Sequence, residues 1–240
     1  MRLIASLAMI TMAISPVASA KDWTFGDGQM PERWSLINSD YALCDSGLMQ
    51  SPIDLGNANA IGNVSLSTNY GSTTGQVKLG TEKVQVDFPA GMGMMSGDKA
   101  FALIQVHFHT PAEHAIDGKR HPLVGHFVHA TEAGELGVLG IMFEEGEANP
   151  ALQTIIDASA AGDGTDVSFD INDMLPDDIS VFRYMGSLTT PPCSEGVNWH
   201  VSKGTMTASG AQIAALYNLL GDTSRSLQPL GSRLLVAPAD

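Results

Sequence analysis

Short runs rich in apolar, β-branched and aromatic residues dominate the chain, and Gly, Pro, Asn and Asp separate them. Runs of this kind are typical of β-strands that end in turns. The predicted strands cover residues 64–66, 76–79, 83–88, 102–109, 121–131 and 135–143. We expect the short segment between the last two strands to be a hairpin connection.

Two segments carry helix signals instead. Asn149, followed by a proline, is typical of a helix N-cap and predicts a helix over residues 151–159. Ser209 is suited to cap a second helix over residues 211–220, which a glycine ends. Because strands outnumber helices and do not alternate with them regularly, the pattern predicts a mainly β (α+β) single domain with short helices.

The methionine-rich segment 91–95 reads Gly-Met-Gly-Met-Met. Thioether sulfurs are copper ligands, but a glycine-containing segment between strands is typical of a flexible loop. We therefore interpret this segment as a loop and not as a metal site.

The N-terminal segment 1–20 has the pattern of a cleaved signal peptide. Arg2 precedes the apolar run 3–14, and the segment ends in Ala-Ser-Ala, a small-residue cleavage site. A membrane anchor would need roughly 20 continuous apolar residues, and Pro16 interrupts this run. We therefore expect an exported domain, residues 21–240, with no further membrane insertion. The expected destination is the periplasm, with secretion into the medium as the alternative.

The charge balance excludes some classes of partner. The chain has 26 acidic and 12 basic residues, a formal net charge of −14 at pH 7. A nucleic-acid groove requires clustered Lys and Arg, and the sequence contains no such cluster. Negative charge also disfavours docking on anionic lipid. We expect no nucleic-acid partner, and a homodimer is left open.

The two cysteines, Cys44 and Cys193, are interpreted through the expected export. An oxidising compartment permits a disulfide between them. In the chain-entropy model a closed loop of about 150 residues would contribute roughly 4–5 kcal/mol of stability. Two buried thiols are the alternative, which the compartment disfavours.

Six of the seven histidines lie within residues 107–129. His107 and His109 are two positions apart in a predicted strand, so both imidazoles are expected on one face. A third imidazole from a neighbouring strand would complete a set. His126 and His129 are three apart and face opposite sides, so only one of them can join. Three imidazoles with an open fourth position are typical of catalytic Zn²⁺, which acidifies bound water.

A second class of metal site uses similar residues. The spacing His107-x-His109-x-x-x-Glu113 resembles the first cupin motif, in which Glu is a ligand and the metal is often iron or manganese. The second cupin motif is missing from the sequence after position 125, and a cupin interpretation leaves the C-terminal half unexplained.

The C-terminal half favours another family. Residues 187–199 read SLTTPPCSEGVNW and residues 50–54 read QSPID. Together with the histidine block, these motifs resemble the α-class carbonic anhydrase family from about Trp23 to Arg233. The resemblance implies a zinc lyase in which a zinc-bound hydroxide converts CO₂ reversibly to bicarbonate and a proton. It also implies a central, largely antiparallel ten-stranded sheet with short peripheral helices.

The resemblance assigns roles to individual positions. The positions that match the zinc ligands are His107, His109 and His126. Gln105 matches the acceptor that orients the first ligand, and Thr189 matches the hydroxyl that accepts from the zinc-bound hydroxide and donates to Glu113. The side chains that match the CO₂ pocket are Val128, Val138, Leu188, Thr189, Thr190, Val197 and Trp199. Cys44 and Cys193 match the disulfide of exported bacterial members.

Three positions depart from the family pattern. Glu82 takes the place of the proton-shuttle His, and Phe25 takes the place of a Tyr. A Glu carboxyl has a reference pKa of about 4.3 against about 6.5 for His, which makes it a poor proton carrier near neutral pH. Val124 replaces the Glu that orients the third ligand, a loss typically worth about 10–100-fold in metal affinity or activity. We expect slowed proton transfer, and a carbonic-anhydrase-like zinc protein with little catalysis is the alternative.

Overall fold

The computed structural model describes residues 22–26 and 31–239. The predicted signal peptide, residues 1–20, lies outside the described residues. The strands are β1 (Ala60–Ile61), β2 (Leu66–Thr68), β3 (Ser72–Gly80), β4 (Lys83–Asp87), β5 (Gly93–Ser96), β6 (Lys99–His109), β7 (Leu123–Ala130), β8 (Leu136–Glu145), β9 (Asp166–Asp170), β10 (Val181–Ser187), β11 (Glu195–Ser202), β12 (Met206–Ala208) and β13 (Leu235–Ala237). The α-helices are α1 (Ala42–Ser46), α2 (Pro150–Ala161) and α3 (Gly210–Leu220), and the 3₁₀ segments are Pro31–Leu36, Ser39–Tyr41, Leu55–Asn57 and Ile171–Met174.

The strands of the described chain form one mixed sheet. Ten of them follow the order β1-β13-β10-β11-β8-β7-β6-β4-β3-β9, and β2, β5 and β12 attach beside this path. The predicted ten-stranded centre is confirmed, but the sheet is larger and less antiparallel than expected. Strand β8 pairs in parallel with β11 and with β12, and β1 pairs in parallel with β13. Parallel neighbours need a long crossover connection, and α2, β9 and β10 lie between β8 and β11.

Most of the predicted elements are present, with shifted ends. The predicted strand at 64–66 overlaps β2 by one residue, whereas the other five predicted strands overlap β3, β4, β6, β7 and β8 almost fully. The segment after β7 is the expected hairpin connection, in which the Thr131 N–H donates to the Glu135 carbonyl.

The loop prediction for segment 91–95 is wrong over its second half, because β5 begins at Gly93 and pairs with β6. Met94 is buried in the core. A Cβ at position 93 would lie 2.2 Å from the Phe101 carbonyl oxygen, so glycine permits this close pairing. The glycines that suggested a loop therefore serve a strand.

Both predicted helices are confirmed, together with their caps. The Asn149 side chain accepts from the Leu152 N–H at the start of α2. Ser209 and Gln212 form a capping box at the start of α3. Gly221 follows α3 with a φ of 71°, a conformation that glycine adopts without strain. None of the helices in the described part of the chain is long and apolar enough to cross a membrane.

The sheet separates two apolar clusters. The larger cluster lies on what we call the back face and includes Phe127 and Phe143, with α2 and α3 packed against it. The smaller cluster lies on the front face and includes Val138, Val197 and Trp199. Period-two alternation along each strand divides its side chains between these faces.

The cysteines form the expected disulfide. Cys44 in α1 and Cys193 after β10 are bonded, with Cα atoms 5.0 Å apart across 149 residues of sequence. The bridge packs against Trp34 and joins the N-terminal helical segments to the chain beside the front face.

Candidate metal centre

Three histidines converge on the front face. One ring nitrogen from each of His107, His109 and His126 lies within 4.8 Å of the others. His107 in β6 and His126 in β7 are direct cross-strand partners, and the three ring centroids lie 4.9–5.3 Å apart. This separation allows one ion to contact all three imidazoles.

A β-bulge in β6 gives the histidines this face. The pairing of β6 with β7 shifts between Leu103 and Gln105, so Ile104 is an extra residue. Before the bulge, Leu103 points into the back-face cluster. After it, side chains two, four and six positions beyond Leu103 point to the front, whereas Val106 and Phe108 point to the back. Unbroken alternation through the same residues would put His107 on the core face of Leu103.

Two of the three imidazoles are oriented by hydrogen bonds. His107 Nδ1 lies 2.9 Å from Gln105 Oε1, and His109 Nδ1 lies 2.7 Å from the Thr223 carbonyl oxygen. Both oxygens accept only, so each Nδ1 carries the proton and each Nε2 has a free lone pair. His109 Nε2 is buried and has no hydrogen-bond partner among the described residues, as a metal-ligating nitrogen requires.

His126 is held differently. Its Nε2 is buried without a hydrogen-bond partner in the described part of the chain. Its Nδ1 lies 3.8 Å from Glu113 Oε2, beyond hydrogen-bond distance. The ring packs against Trp199, with centroids 5.0 Å apart. Val124, two residues earlier on the same face, is buried in the front-face cluster and offers no acceptor.

Burial keeps the imidazoles of His107 and His126 neutral. Desolvation lowers the pKa of His107 well below its usual 6.5, and the nearby His109 and Lys83 lower this pKa further. Desolvation also lowers the pKa of His126, with further contributions from His109 and His107. A neutral imidazole is the form that binds a metal, so these two rings are in the metal-binding form at neutral pH.

Glu113 lies close to the imidazoles and is fully buried. Its Oε1 accepts from the Arg225 backbone N–H at 3.1 Å. Its Oε2 lies 3.5 Å from His109 Nε2 and has no hydrogen-bond partner among residues 22–26 and 31–239. The hydrogen bonds of these residues include none between Glu113 and Thr189, whose side chain is also buried.

A cavity of about 400 Å³ opens beside the histidines. The predicted site residues that line it are Glu82, Gln105, His107, His109, Val128, Leu188 and Thr190. The remaining apolar residues of the predicted pocket, Val138, Val197 and Trp199, are buried in the front-face cluster, against which Val128 and Leu188 pack. The structure thus places the predicted apolar residues together, some on the cavity wall and some behind it.

Sequence reasoning missed several contributors to this site. Thr223 orients His109 through its backbone carbonyl, which has no sequence signature. Arg225 is almost fully buried and donates its backbone N–H to Glu113, 112 positions away in sequence. Trp23 also lines the cavity. Only contacts between distant segments reveal these roles.

Three imidazoles that converge beside a cavity define a candidate metal centre of the three-histidine type. The family model of eukaryotic-type carbonic anhydrases matches residues 29–237. The chain therefore belongs to the α-carbonic anhydrase family of enzymes. The cupin alternative is wrong, because the strands form one open mixed sheet and because the family match includes the C-terminal half.

The relatives agree with this assignment. A carbonic anhydrase of Nostoc sp. is 38% identical over 229 residues, which are 91% of this chain and 87% of the relative. The structure of an alpha-carbonic anhydrase from Photobacterium profundum has a TM-score of 0.80 at 36% identity and covers 89% of this chain and 99% of that one. Dioscorin DB3S of Dioscorea polystachya is 30% identical over 95% of this chain and 91% of its own length.

Proposed function

We propose that this chain binds Zn²⁺ through His107, His109 and His126 and catalyses the reversible hydration of CO₂ to bicarbonate. The observation that carries the proposal is the convergence of three ring nitrogens within 4.8 Å beside an open cavity. The donor set fits zinc, which prefers imidazole nitrogen in catalytic sites. When bound, zinc lowers the pKa of a coordinated water to about 7 and so supplies a nucleophile at neutral pH.

The chain's own residues have three tasks in this mechanism. Gln105 and Thr223 fix the rings of His107 and His109 through their Nδ1 protons. These hydrogen bonds determine which ring nitrogen faces the ion, and the two rings need not reorient when the ion binds.

We assign the second task to Glu113 and Thr189. The Arg225 backbone N–H donates to Glu113 Oε1 and so holds this side chain in place. Its Oε2 has unused acceptor capacity. We propose that Oε2 accepts from the Thr189 hydroxyl, so that this hydroxyl can only accept from the water that attacks CO₂.

The third task is to bind a nonpolar gas. Val128 and Leu188 line the cavity. They pack against a buried apolar cluster that includes Val138, Val197 and Trp199. An apolar wall disfavours water and does not penalise CO₂, which has no net charge or dipole. Thr190 lines the cavity as well, and we assign it and Thr189 to supply polar groups beside the apolar residues.

The proposal is tested by measuring zinc content and CO₂ hydration on one preparation of the mature protein. Stoichiometric zinc and hydration well above that of a His109→Ala control would support it. Stoichiometric zinc without hydration above that control would favour the second candidate, a carbonic-anhydrase-like zinc protein with little catalysis. In His126 we take Nδ1 as the ligand atom, because it approaches the same Glu113 oxygen as His109 Nε2 does. Its Nε2 is then the nitrogen that an orienting partner should hold, and the lack of such a partner among the described residues is the observation that favours this candidate.

Proton release is expected to limit turnover, because a Glu and not a His stands at position 82. We predict that imidazole buffer raises kcat, since an external base can accept the proton that no side-chain imidazole accepts. The measurement is kcat at saturating CO₂ over a range of imidazole concentrations at constant pH and ionic strength. A kcat that does not change with buffer concentration would contradict this expectation.

We also propose that residues 1–20 are removed as a signal peptide and that residues 21–240 function in the periplasm. The Cys44–Cys193 disulfide supports an oxidising compartment. Mass spectrometry of the exported protein tests the cleavage after Ala20, and an intact N-terminus would contradict it. The absence of a nucleic-acid partner and the homodimer stay predictions.

A further inference from the structure

The segment 22–26, which we call the strap, forms part of the cavity wall. Trp23 and Phe25 line the cavity together with Glu82 from the turn between β3 and β4. The Phe25 ring lies edge-on to the ring of His109, with centroids 6.2 Å apart. The position of the strap therefore shapes the space next to a proposed ligand.

One side of the strap is fastened to the N-terminal helical segments. Trp34 Nε1 donates to the Thr24 carbonyl at 3.1 Å, and the Trp34 ring contacts those of Trp23 and Phe25 with centroids 5.1 Å and 5.6 Å away. These contacts anchor the strap to a fully buried tryptophan.

The other side is fastened across the cavity by Glu82. The Phe25 backbone N–H donates to both carboxylate oxygens of Glu82, each at 3.2 Å. A hydrogen bond to an ionised acceptor is about twice as strong as one between neutral groups. The bond spans 57 positions of sequence and ties the strap to the β3–β4 hairpin.

The backbone of Glu82 supports a specific role for this side chain. Its φ is 55°, in the left-handed region that Gly and Asn usually occupy. A Glu in that conformation is an outlier, and such outliers often mark functional positions. Here the turn directs the carboxylate toward the strap.

We propose that Glu82 is a positioning residue that latches the strap over the cavity and holds the Phe25 ring against His109. The residue predicted to stand in for a proton shuttle thus acts by holding a backbone amide. The latch itself stands on geometry alone, whereas its effect on the reaction rests on the proposed function.

Glu82→Ala and Glu82→Gln form a matched pair for testing the latch. Both variants keep a Cβ, so the strain of the left-handed backbone is common to both. Gln retains an oxygen that can accept from the Phe25 N–H, whereas Ala does not. Lys83→Ala is the control, because it changes the same hairpin and leaves the bond intact.

The first measurement is amide hydrogen exchange at Phe25 in the mature, zinc-loaded protein. We expect exchange about tenfold faster or more in Glu82→Ala, from the typical strength of a hydrogen bond to a charged group. Exchange in Glu82→Gln should stay within about threefold of wild type, as for a neutral hydrogen bond that replaces a charged one.

The second measurement reports the cavity wall. Trp34 and Trp199 are buried and Trp23 is partly exposed, so acrylamide quenching of tryptophan fluorescence reports mainly on Trp23. We expect increased quenching, together with shifted ring signals of His109, in Glu82→Ala but not in Glu82→Gln or Lys83→Ala.

Unchanged exchange and quenching in Glu82→Ala would overturn the latch, and so would equal changes in the Ala and Gln variants. These readouts need no turnover. A protein without CO₂ hydration could still show the latch, and an active enzyme could fail to show it, so the two proposals fail separately.

Discussion

The two faces of the sheet carry buried histidines in different ways. On the front, the nitrogens of His107, His109 and His126 converge beside a cavity. On the back, His129 Nε2 pairs with the Tyr70 hydroxyl and His200 Nε2 lies 2.8 Å from Ser96 Oγ. The two Nε2 atoms on the back are each taken up by a hydroxyl, and no second imidazole nitrogen converges on either of them among the described residues. Burial alone therefore does not make a metal site, because convergence of unpartnered nitrogens is also required.

Removing a front-face ligand should have the largest effect. We expect His109→Ala to lower zinc affinity by more than about 100-fold, beyond the loss typical of an outer partner. The matched variant His200→Gln should destabilise the fold but leave zinc affinity unchanged, because His200 faces the back. Zinc titration with a chromophoric chelator measures both. Equal losses of affinity in the two variants would remove the distinction between the faces.

Within the front face, the outer partners of the ligands should have intermediate effects. Gln105→Ala removes the acceptor of His107 and is expected to lower zinc affinity about 10–100-fold. Val124→Glu supplies an acceptor on the strand of His126 and is expected to slow zinc loss. The rate of zinc transfer to excess chelator at neutral pH tests both.

An unchanged rate in Val124→Glu would mean that packing against Trp199 already fixes the ring of His126. Circular dichroism of each variant controls for misfolding, because a carboxylate placed in an apolar cluster is costly if it stays unpaired.

The back face should be visible in the pH dependence of stability. Desolvation lowers the pKa of His200 to about 3, helped by Arg183 and His129, and lowers that of His129 to about 4. In the unfolded chain both titrate near 6.5. Between pH 6.5 and about 4 the unfolded state binds more protons than the folded state. The free energy of unfolding therefore decreases as the pH is lowered, by up to about 1.4 kcal/mol per pH unit for each histidine.

Urea unfolding at pH 7.5, 6 and 5 measures this slope. His200→Gln should have a smaller slope below pH 6.5, because one of the two back-face histidines is gone. Both proteins are compared in the zinc-loaded form, so that the ligands on the front contribute equally to both slopes and cancel in the difference. A variant with the same slope as wild type would show that His200 is not protonated preferentially in the unfolded state.

Much of the histidine arrangement could be predicted from the sequence, because side chains alternate between the two faces of a strand with a period of two residues. The spacing of His107 and His109 predicted a shared face. His126 and His129 are an odd number of positions apart, so only one of them could join the pair. The structure shows why His126 is that one: it pairs directly with His107, whereas His129 points to the back.

Other features depend on contacts that no local pattern encodes. The Thr223 carbonyl reaches His109 across 114 positions of sequence. The parallel pairing of β8 with β11 depends on a long crossover. The latch by Glu82 depends on a backbone amide, which every residue but proline has.

The extra residue in β6 also constrains how the length of this strand can change. If Ile104 were deleted, Leu103 and Gln105 would become adjacent opposite His129 and Val128, so regular alternation would keep Leu103 on the back face and the histidines on the front face. A single deletion within residues 105–109 would instead turn part of the strand over, because one position exchanges the faces of a strand. Position 104 is therefore the site at which β6 can lose one residue and still keep its histidines on the cavity side.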